Sequence, residues 1–385
     1  MRPLRKVAVF IETSRELGRG LLRGVTRYYR NNPNWSVYFQ QQELGAALPR
    51  WVKSWRGDGI LARVNDQRTA KALLSTGLPL IDLRGGTLEL GLPAFGPSNK
   101  SIATSTFEHL VACGFERFGF VGEPTGCYVY DDMRRDQFVN LVQSRGHECH
   151  IFPTDSAKPV PKNWDAQQRE LAKWLRRLPK PIGLMCCHDD RGQQVLDACR
   201  RAELRVPDEI GVVGVDNDEF LCRLAVPSLS SVDVGSDRIG YEAASLLDRM
   251  MNGEATFSEP VLFEPVGVIK RQSTDIVFCE DLQIGLAIRF IRQNACNNVS
   301  VTDVHRQVRL SRTLLNRRFK SIVGHSPKQE ILRVQMEVAQ KMLVNSPDNI
   351  QTVAYRCGFN EAWYFTAVFR KHTGLTPAAY RRKHK

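Results

Sequence analysis

For its first 275 residues the chain alternates short apolar runs with amphipathic stretches, and this alternation restricts its fold more than any other feature. Apolar runs stand at 7–11 (VAVFI), 36–40, 59–62 (GILA), 78–83, 118–122 (FGFVG), 148–152, 182–187 and 210–216 (IGVVGVD). Helical patterns occupy 17–31, 98–113, 132–145, 165–178 and 189–202, with a later one at 236–252. Such a β-α-β-α order predicts parallel sheets covered by helices on both faces. More than 250 residues of it is long for one sheet and suits two α/β lobes.

Ligands of such sheets bind at the carboxyl ends of the strands, so the polar residues there are candidates. Glu12, Thr13 and Ser14 follow the first run. Asp189 and Asp190 follow 182–187, Asp216 and Asn217 follow 210–216, and Arg134 begins a helix after the loop that follows 118–122. Carboxylates and an arginine can grip vicinal hydroxyls through paired, charge-assisted hydrogen bonds. Asp189 equally suits a helix N-cap. Gly18, Gly20 and Gly24 mimic a dinucleotide loop, but the third glycine falls one residue late for G-x-G-x-x-G and no tight turn follows the strand, so no nucleotide site is expected. Walker A, nucleophile-elbow and H-E-x-x-H patterns are absent, and no catalytic constellation is visible.

The ten cysteines form no C-x-x-C pair. Cys186-Cys187-His188-Asp189 contains ligand types, but neighbours on a strand point to opposite faces. A reduced core strand without metal or other cofactor is therefore expected. No apolar run approaches the roughly 18 residues of a membrane span. The start carries only a five-residue apolar run, too short for a signal-peptide core, and reads as a first strand of a cytoplasmic protein with no membrane partner.

KPIGLMCCHDDRGQQVLDACRRAELRVPDEIGVVGVDNDEF, PSLSSVDVGSDRIGYEAASLL and EPVGVIKRQST resemble the ligand-binding core of LacI/GalR-type regulators over about residues 5–275. The resemblance implies a periplasmic-binding-protein-like fold, two α/β lobes joined by hinge crossings with a sugar between them. It implies sugar contacts from Arg134, Asp189 and Asp216; Glu12 and Ser14 join them as candidates from their place after the first strand. The N-terminal DNA-binding headpiece of that family does not precede the first strand.

Charge sets the last quarter of the chain apart. Residues 282–385 hold 18 Lys+Arg and 5 Asp+Glu, whereas residues 1–281 hold 36 of each. The whole excess of +13 lies in that quarter, which points to a polyanion partner for it alone. Only RRKHK, 381–385, reads as a tail. After a connector at 276–281, apolar residues at 284, 287, 288 and 291 mark one helix. Val301, Val304 and Val308 mark a second. Leu310-Ser311 then supplies a turn and an N-cap serine. Leu315 and Phe319, four apart, anchor a third helix with Arg312, Thr313, Asn316 and Arg317 outward. A connecting helix is expected at about 327–345, with Ile331, Leu332, Val338, Ala339, Met342 and Leu343 buried. The pattern then repeats: Ile350, Val353 and Ala354, a turn at Gly358, a cap at Asn360, and anchors Phe365 and Phe369 that leave Ala362, Trp363, Thr366 and Ala367 outward. Two helix-turn-helix units in an all-α domain are thus expected, each aiming a helix at the major groove of double-stranded DNA, where Arg reads guanine and Asn reads adenine.

GFNEAWYFTAVFRKHTGLTPAAYRRK is similar to the AraC/XylS family signature, and the paired units extend the likeness over about 282–381. By position it implies reading residues Thr313, Asn316, Arg317, Ala362, Trp363 and Thr366, to which the outward-facing Arg312 is added as a candidate. His305 stands where the first unit usually has alanine, Arg309 where its turn usually has glycine, and Ala367 where the second helix often has arginine.

A LacI-like core ahead of an AraC-type reader resembles xylose-operon regulators of the XylR type along nearly the whole chain. That implies a regulator, not an enzyme: a D-xylose-responsive activator, a homodimer on paired operator half-sites roughly 34–36 Å apart or a multiple, with RNA polymerase as a further partner. Arg63 stands where those proteins have an acidic residue, so the sugar can be a different pentose or hexose. Rival readings are a carbohydrate enzyme, which sugar turnover would reveal, and a sugar-independent architectural DNA binder.

Overall fold

The computed structural model describes residues 4–40, 48–64, 66–85, 91–153, 163–254, 260–276 and 281–384. The chain divides into two compact units, Met1–Asp275 and Ile276–Lys385. Residues 277–280 of the expected connector lie outside the described residues.

The first lobe of the first unit runs β1 (Arg5–Phe10), α1 (Glu16–Asn31), β2 (Trp35–Phe39), β3 (Gly59–Ala62), α2 (Gln67–Leu74) and β4 (Leu80–Asp82). Its sheet has the order β2-β1-β3-β4, all parallel. β5 (Phe95–Pro97) then leads to the second lobe: α3 (Asn99–Ala112), β6 (Phe118–Val121), α4 (Val129–Ser144), β7 (Cys149–Ile151), α5 (Trp164–Arg177), β8 (Ile182–Cys186), α6 (Asp189–Arg201), β9 (Ile210–Val215), α7 (Glu219–Leu224) and β10 (Ser230–Asp233). The chain returns to the first lobe as α8 (Ser236–Met251). It passes back through β11 (Val261–Phe263), paired with β5, and ends the unit at β12 (Gly267–Ile269). The second sheet has the order β12-β10-β9-β8-β6-β7. Its edge strand β12 runs antiparallel to β10, a departure from the expected all-parallel sheets. Three crossings thus join the lobes.

β3, β6, β8 and β9 are buried at every residue. That is why they read as unbroken apolar runs, as strands covered on both faces do. The glycines of the false dinucleotide loop serve helix packing. A Cβ on Gly20 would lie 1.8 Å from the Ser236 hydroxyl, and one on Gly24 2.0 Å from the Asp237 carbonyl. Gly240 of α8 stands in the same relation to the Leu21 carbonyl. Small residues let α1 and α8 approach backbone to backbone, so α8 is stitched to the first lobe although β10, the strand before it, belongs to the second.

The second unit is helical: α9 (Leu282–Asn294), α10 (Val301–Val308), α11 (Arg312–Val323), α12 (Pro327–Asn345), α13 (Ile350–Arg356), α14 (Ala362–Thr373) and α15 (Pro377–His384). Two apolar cores hold it. Ile284, Ile288, Ile291, Val304, Val308, Leu315 and Phe319 form one; Met336, Leu343, Val353, Phe365 and Phe369 form the other. α12 contributes to both, through Ile331 and Val334 at one end and Met336, Ala339 and Leu343 at the other. Expected buried positions Leu332, Val338 and Met342 are only partly covered. The supposed tail is mostly helix: Arg381 of α15 donates to the carbonyls of Leu343 (3.0 Å) and Asp348 (2.6 Å).

The nine cysteines among the described residues are free. No described helix is long and apolar enough to cross a membrane.

Candidate functional site

The strand order fixes where a pocket can form. Winding reverses between β1 and β3 in the first lobe and between β6 and β8 in the second, and such switch points leave a crevice at the strand ends. Each crevice holds an acid–base pair. Glu12 and Arg63, beyond β1 and β3, pair while 4% and 6% exposed. Glu123 and His188, beyond β6 and β8, approach with Nε2 to Oε1 at 3.1 Å. Between them lies a small cavity of about 10 Å³ lined by Arg15, Leu17, Arg63, Tyr130, Arg134, His188 and Asp216. That is about the space one water takes.

Asp216 projects from a constrained turn. Its φ is +102° and that of Asn217 is +54°, values that L-residues adopt at a cost of roughly 1–3 kcal/mol and that cluster at ligand sites. Three contacts hold the turn. The Asn217 N–H donates to the Ser231 hydroxyl (3.0 Å), Arg271 donates to the Asn217 side chain (2.7 Å), and the Asp218 N–H donates to Asp189 (2.6 Å). The result is a carboxylate whose Oδ1 is buried without a hydrogen-bond partner among the described residues. Asp131 of α4, 4% exposed, has both oxygens in that condition. Burial pushes its carboxyl above the usual range, against the pull of His188, Arg134 and Arg15. Buried polar atoms are nearly always paired, which sets these three oxygens apart.

The remaining groups are tied down. Arg134 donates to Asn99 (3.1 Å) and to the Cys187 carbonyl. Arg15 donates to the Tyr130 hydroxyl (2.9 Å) and lies 3.5 Å from Asp190. Burial would raise the Glu123 carboxyl, but the His188 hydrogen bond and Arg191 bring it down to about 2. Burial, and next the neighbouring Arg84 charge, push Arg63 down to about 9.

Of the residues expected from sequence, Arg134 and Asp216 line the cavity and Glu12 stands behind Arg63. Asp189 does not line it. Its oxygens accept from the Asp218 N–H and from the Ser231 hydroxyl at 2.5 Å, and burial beside Asp216 raises its carboxyl well above the usual range. Nor does Asp189 cap α6: His188 does, its Nδ1 accepting the Arg191 N–H at 3.3 Å. Ser14 is exposed, and its carbonyl accepts from Arg19 at 2.8 Å. Arg15, Tyr130 and His188 were not among the expectations. The four-residue spacing of Tyr130 and Arg134 on α4 is the signal that could have found one of them.

Strand alternation does not separate Cys187 from His188, because β8 ends at Cys186. Glu123, Cys187 and His188 bring ligand atoms within 4.8 Å of one another, a set able to hold a cation. The His188–Glu123 hydrogen bond already satisfies two of the three.

In the second unit, Arg312, Thr313, Asn316 and Arg317 are exposed on α11 above buried Leu315 and Phe319. Ser311 caps that helix through the Leu314 N–H (3.3 Å). On α14, Trp363 is 71% exposed, Ala367 is exposed, and Ala362 and Thr366 are half-buried above Phe365 and Phe369. The Thr366 hydroxyl donates to the Ala362 carbonyl (2.9 Å). Glu361, not Asn360, occupies the N-cap of α14, and it makes no side-chain cap bond. His305 is partly buried and α10 forms regularly around it.

Residues 107–274 match a periplasmic binding protein-like domain and residues 304–383 a helix-turn-helix domain. The chain is 29% identical over 383 residues to the xylose operon regulatory protein of Escherichia coli strain K12, covering 98% of this chain and 96% of that one. It is 28% identical to the Haemophilus influenzae protein of the same description, covering 98% of each. The structure of a xylose-binding transcription activator superposes over 100% of this chain and 99% of that one, with a TM-score of 0.80 and 27% identity. A cellobiose complex of a transcriptional regulator shares the fold of the first unit, with a TM-score of 0.57 over 71% of this chain at 19% identity. Alike in sequence and in fold from end to end, the chain is a homologue of the xylose operon regulatory proteins: a sugar-responsive, DNA-binding transcription regulator with a periplasmic-binding-protein-like domain ahead of a helix-turn-helix domain.

Proposed function

We propose that the chain is a cytoplasmic, non-enzymatic activator of sugar-catabolism genes whose effector, D-xylose or a monosaccharide related to it, binds in the cavity between the lobes. The division of labour is residues 1–275 for sensing and 282–385 for reading, joined by the connector. The observation that carries this reading is the set of buried, unpartnered carboxylate oxygens on Asp131 and Asp216 beside Arg134 and His188. A polyol supplies the missing donors. Binding energy of that kind favours the closed arrangement of the lobes, because Asp216 and Arg134 belong to one lobe and Glu12 and Arg63 to the other. Closure then biases how a homodimer presents its reading helices to paired half-sites, and how it engages RNA polymerase.

The test is operator binding by the full chain with and without D-xylose, across a salt series. Affinity should fall steeply with salt, as phosphate neutralisation requires, and sugar should shift it. Asp216→Ala should remove the shift. An operator affinity indifferent to any sugar would leave a sugar-independent DNA binder, and turnover of the sugar would favour an enzyme.

A further inference from the structure

Resting on the reading of the cavity as the effector site, we propose that the effector is an anionic monosaccharide, its carboxylate or ester oxyanion held by Arg63 and Arg84. The two arginines follow adjacent strands, β3 and β4, and a shared clamp sets them side by side: the N–H groups of Val64 (3.1 Å) and Arg84 (2.9 Å) both donate to Asp82 Oδ1. They are 6% and 7% exposed. Arg63 lines the cavity, and Arg84 lies over the ring of Tyr130, which lines it too, at 4.5 Å from the centroid.

The arginines around this cavity differ in what they hold. Arg15 has Asp190 and the Tyr130 hydroxyl, Arg134 has Asn99 and the Cys187 carbonyl, and Arg63 has Glu12. Arg84 has no acceptor on any of its three side-chain nitrogens among the described residues, and Arg63 has none on Nε. A buried guanidinium without an acceptor is costly, and a second one beside it adds like-charge repulsion. Hydroxyl and ring oxygens of a neutral sugar are weak remedies. An oxyanion accepts two parallel charge-assisted bonds and cancels the repulsion. Asp216 lines the same cavity, and Asp131 lies beside His188 and Arg134. Their carboxyl oxygens accept from hydroxyls and not from an anion, so the charged group belongs with Arg63 and Arg84 and the polyol with the aspartates.

The experiment is calorimetric titration of the full chain with D-xylose and D-glucose beside D-xylonate, D-glucuronate, D-galactose 6-sulfate and D-glucose 6-phosphate. The expected result is an anionic sugar bound about tenfold or more tightly than either neutral one, the acid and ester arms telling which oxyanion the site takes. Arg84→Gln should bring that ratio toward one, and Arg84→Lys, which keeps the charge but not the fork, should retain part of it. Neutral sugars bound as tightly as every anionic one would overturn the proposal and leave the wider sugar-responsive reading standing. So would an undiminished ratio in a cooperatively melting Arg84→Gln or, if that variant does not fold, in Arg84→Lys. Failure of all six probes to bind folded wild type would overturn the effector-cavity reading itself.

Discussion

The two helix-turn-helix units share a backbone plan and differ in nearly every residue that faces outward. Both place an aromatic anchor pair or its equivalent beneath the second helix, Leu315 and Phe319 in one, Phe365 and Phe369 in the other, all fully buried. Outward, α11 shows Arg312, Thr313, Asn316 and Arg317, whereas α14 shows Ala362, Trp363, Thr366 and Ala367. The fold of each unit is therefore set by what it buries, and its use by what it leaves exposed. Hydrogen-bonded base discrimination should concentrate on α11, because Arg donates twice to guanine, and Asn both donates to and accepts from adenine. α14 should contribute apolar contact, of the kind that thymine methyls offer; its one hydroxyl in position, on Thr366, is already given to a carbonyl.

The sharpest way to break this comparison is to remove an anchor. Phe319→Ala and Phe365→Ala should each cost about 3–5 kcal/mol, read by urea denaturation, because each ring fills its own core. α12 is common to both cores, so each loss should reach the other unit; two well-separated transitions in either variant would show the cores to be independent. Next in size is the outward contrast. Arg317→Ala should weaken operator binding by about 1–3 kcal/mol and relax specificity at one base pair, while Thr366→Ala should change binding by under about 0.5 kcal/mol. Equal losses from the two would mean that both helices read by hydrogen bonds.

Legibility in the sequence divides along the same line between buried and exposed. Strands covered on both faces announced themselves as apolar runs, and the 3.6-residue stripes located α1, α3, α5 and α6 within two residues. Three strands did not show: β10 is SSVD, β11 is largely exposed, and β5 carries Gly96 and Pro97. On α12 a single stripe was expected, but a helix wedged between two cores buries two faces, so Val334 and Met336 were passed over. In the cavity, Asp216 and Arg134 were legible because the ends of strands and the starts of helices are where such folds bind ligands. Asp189 met the same criterion, yet its carboxylate turns inward to hold the Asp216 turn, and no local pattern distinguishes a carboxylate that touches ligand from one that holds its neighbour. Arg84 and Asp131 were illegible for a related reason: what distinguishes them is that their side-chain polar atoms have no hydrogen-bond partner among the described residues, and pairing is a property of the folded chain.

The smallest expected effects lie in the two turns, where the units solve one backbone problem with different residues. Both turns need a left-handed residue after the first helix. Gly358 has φ +81°, and a Cβ there would meet the Cys296 backbone at 3.0 Å. Gly358→Ala should therefore destabilise by about 1–2 kcal/mol, through strain and crowding together. Arg309 takes φ +53°, ψ +32° with a side chain exposed to solvent. It bears the left-handed penalty, with no crowding to add to it. Arg309→Gly should relieve that penalty at the expense of extra freedom in the unfolded chain, a net stabilisation of up to about 1 kcal/mol, measured as a rise in the denaturation midpoint. Because the substitution also removes one cation from the basic unit, its salt slope on DNA separates two roles. An unchanged slope would make Arg309 a turn residue only, and a slope smaller by about one phosphate contact would place its guanidinium on the DNA backbone.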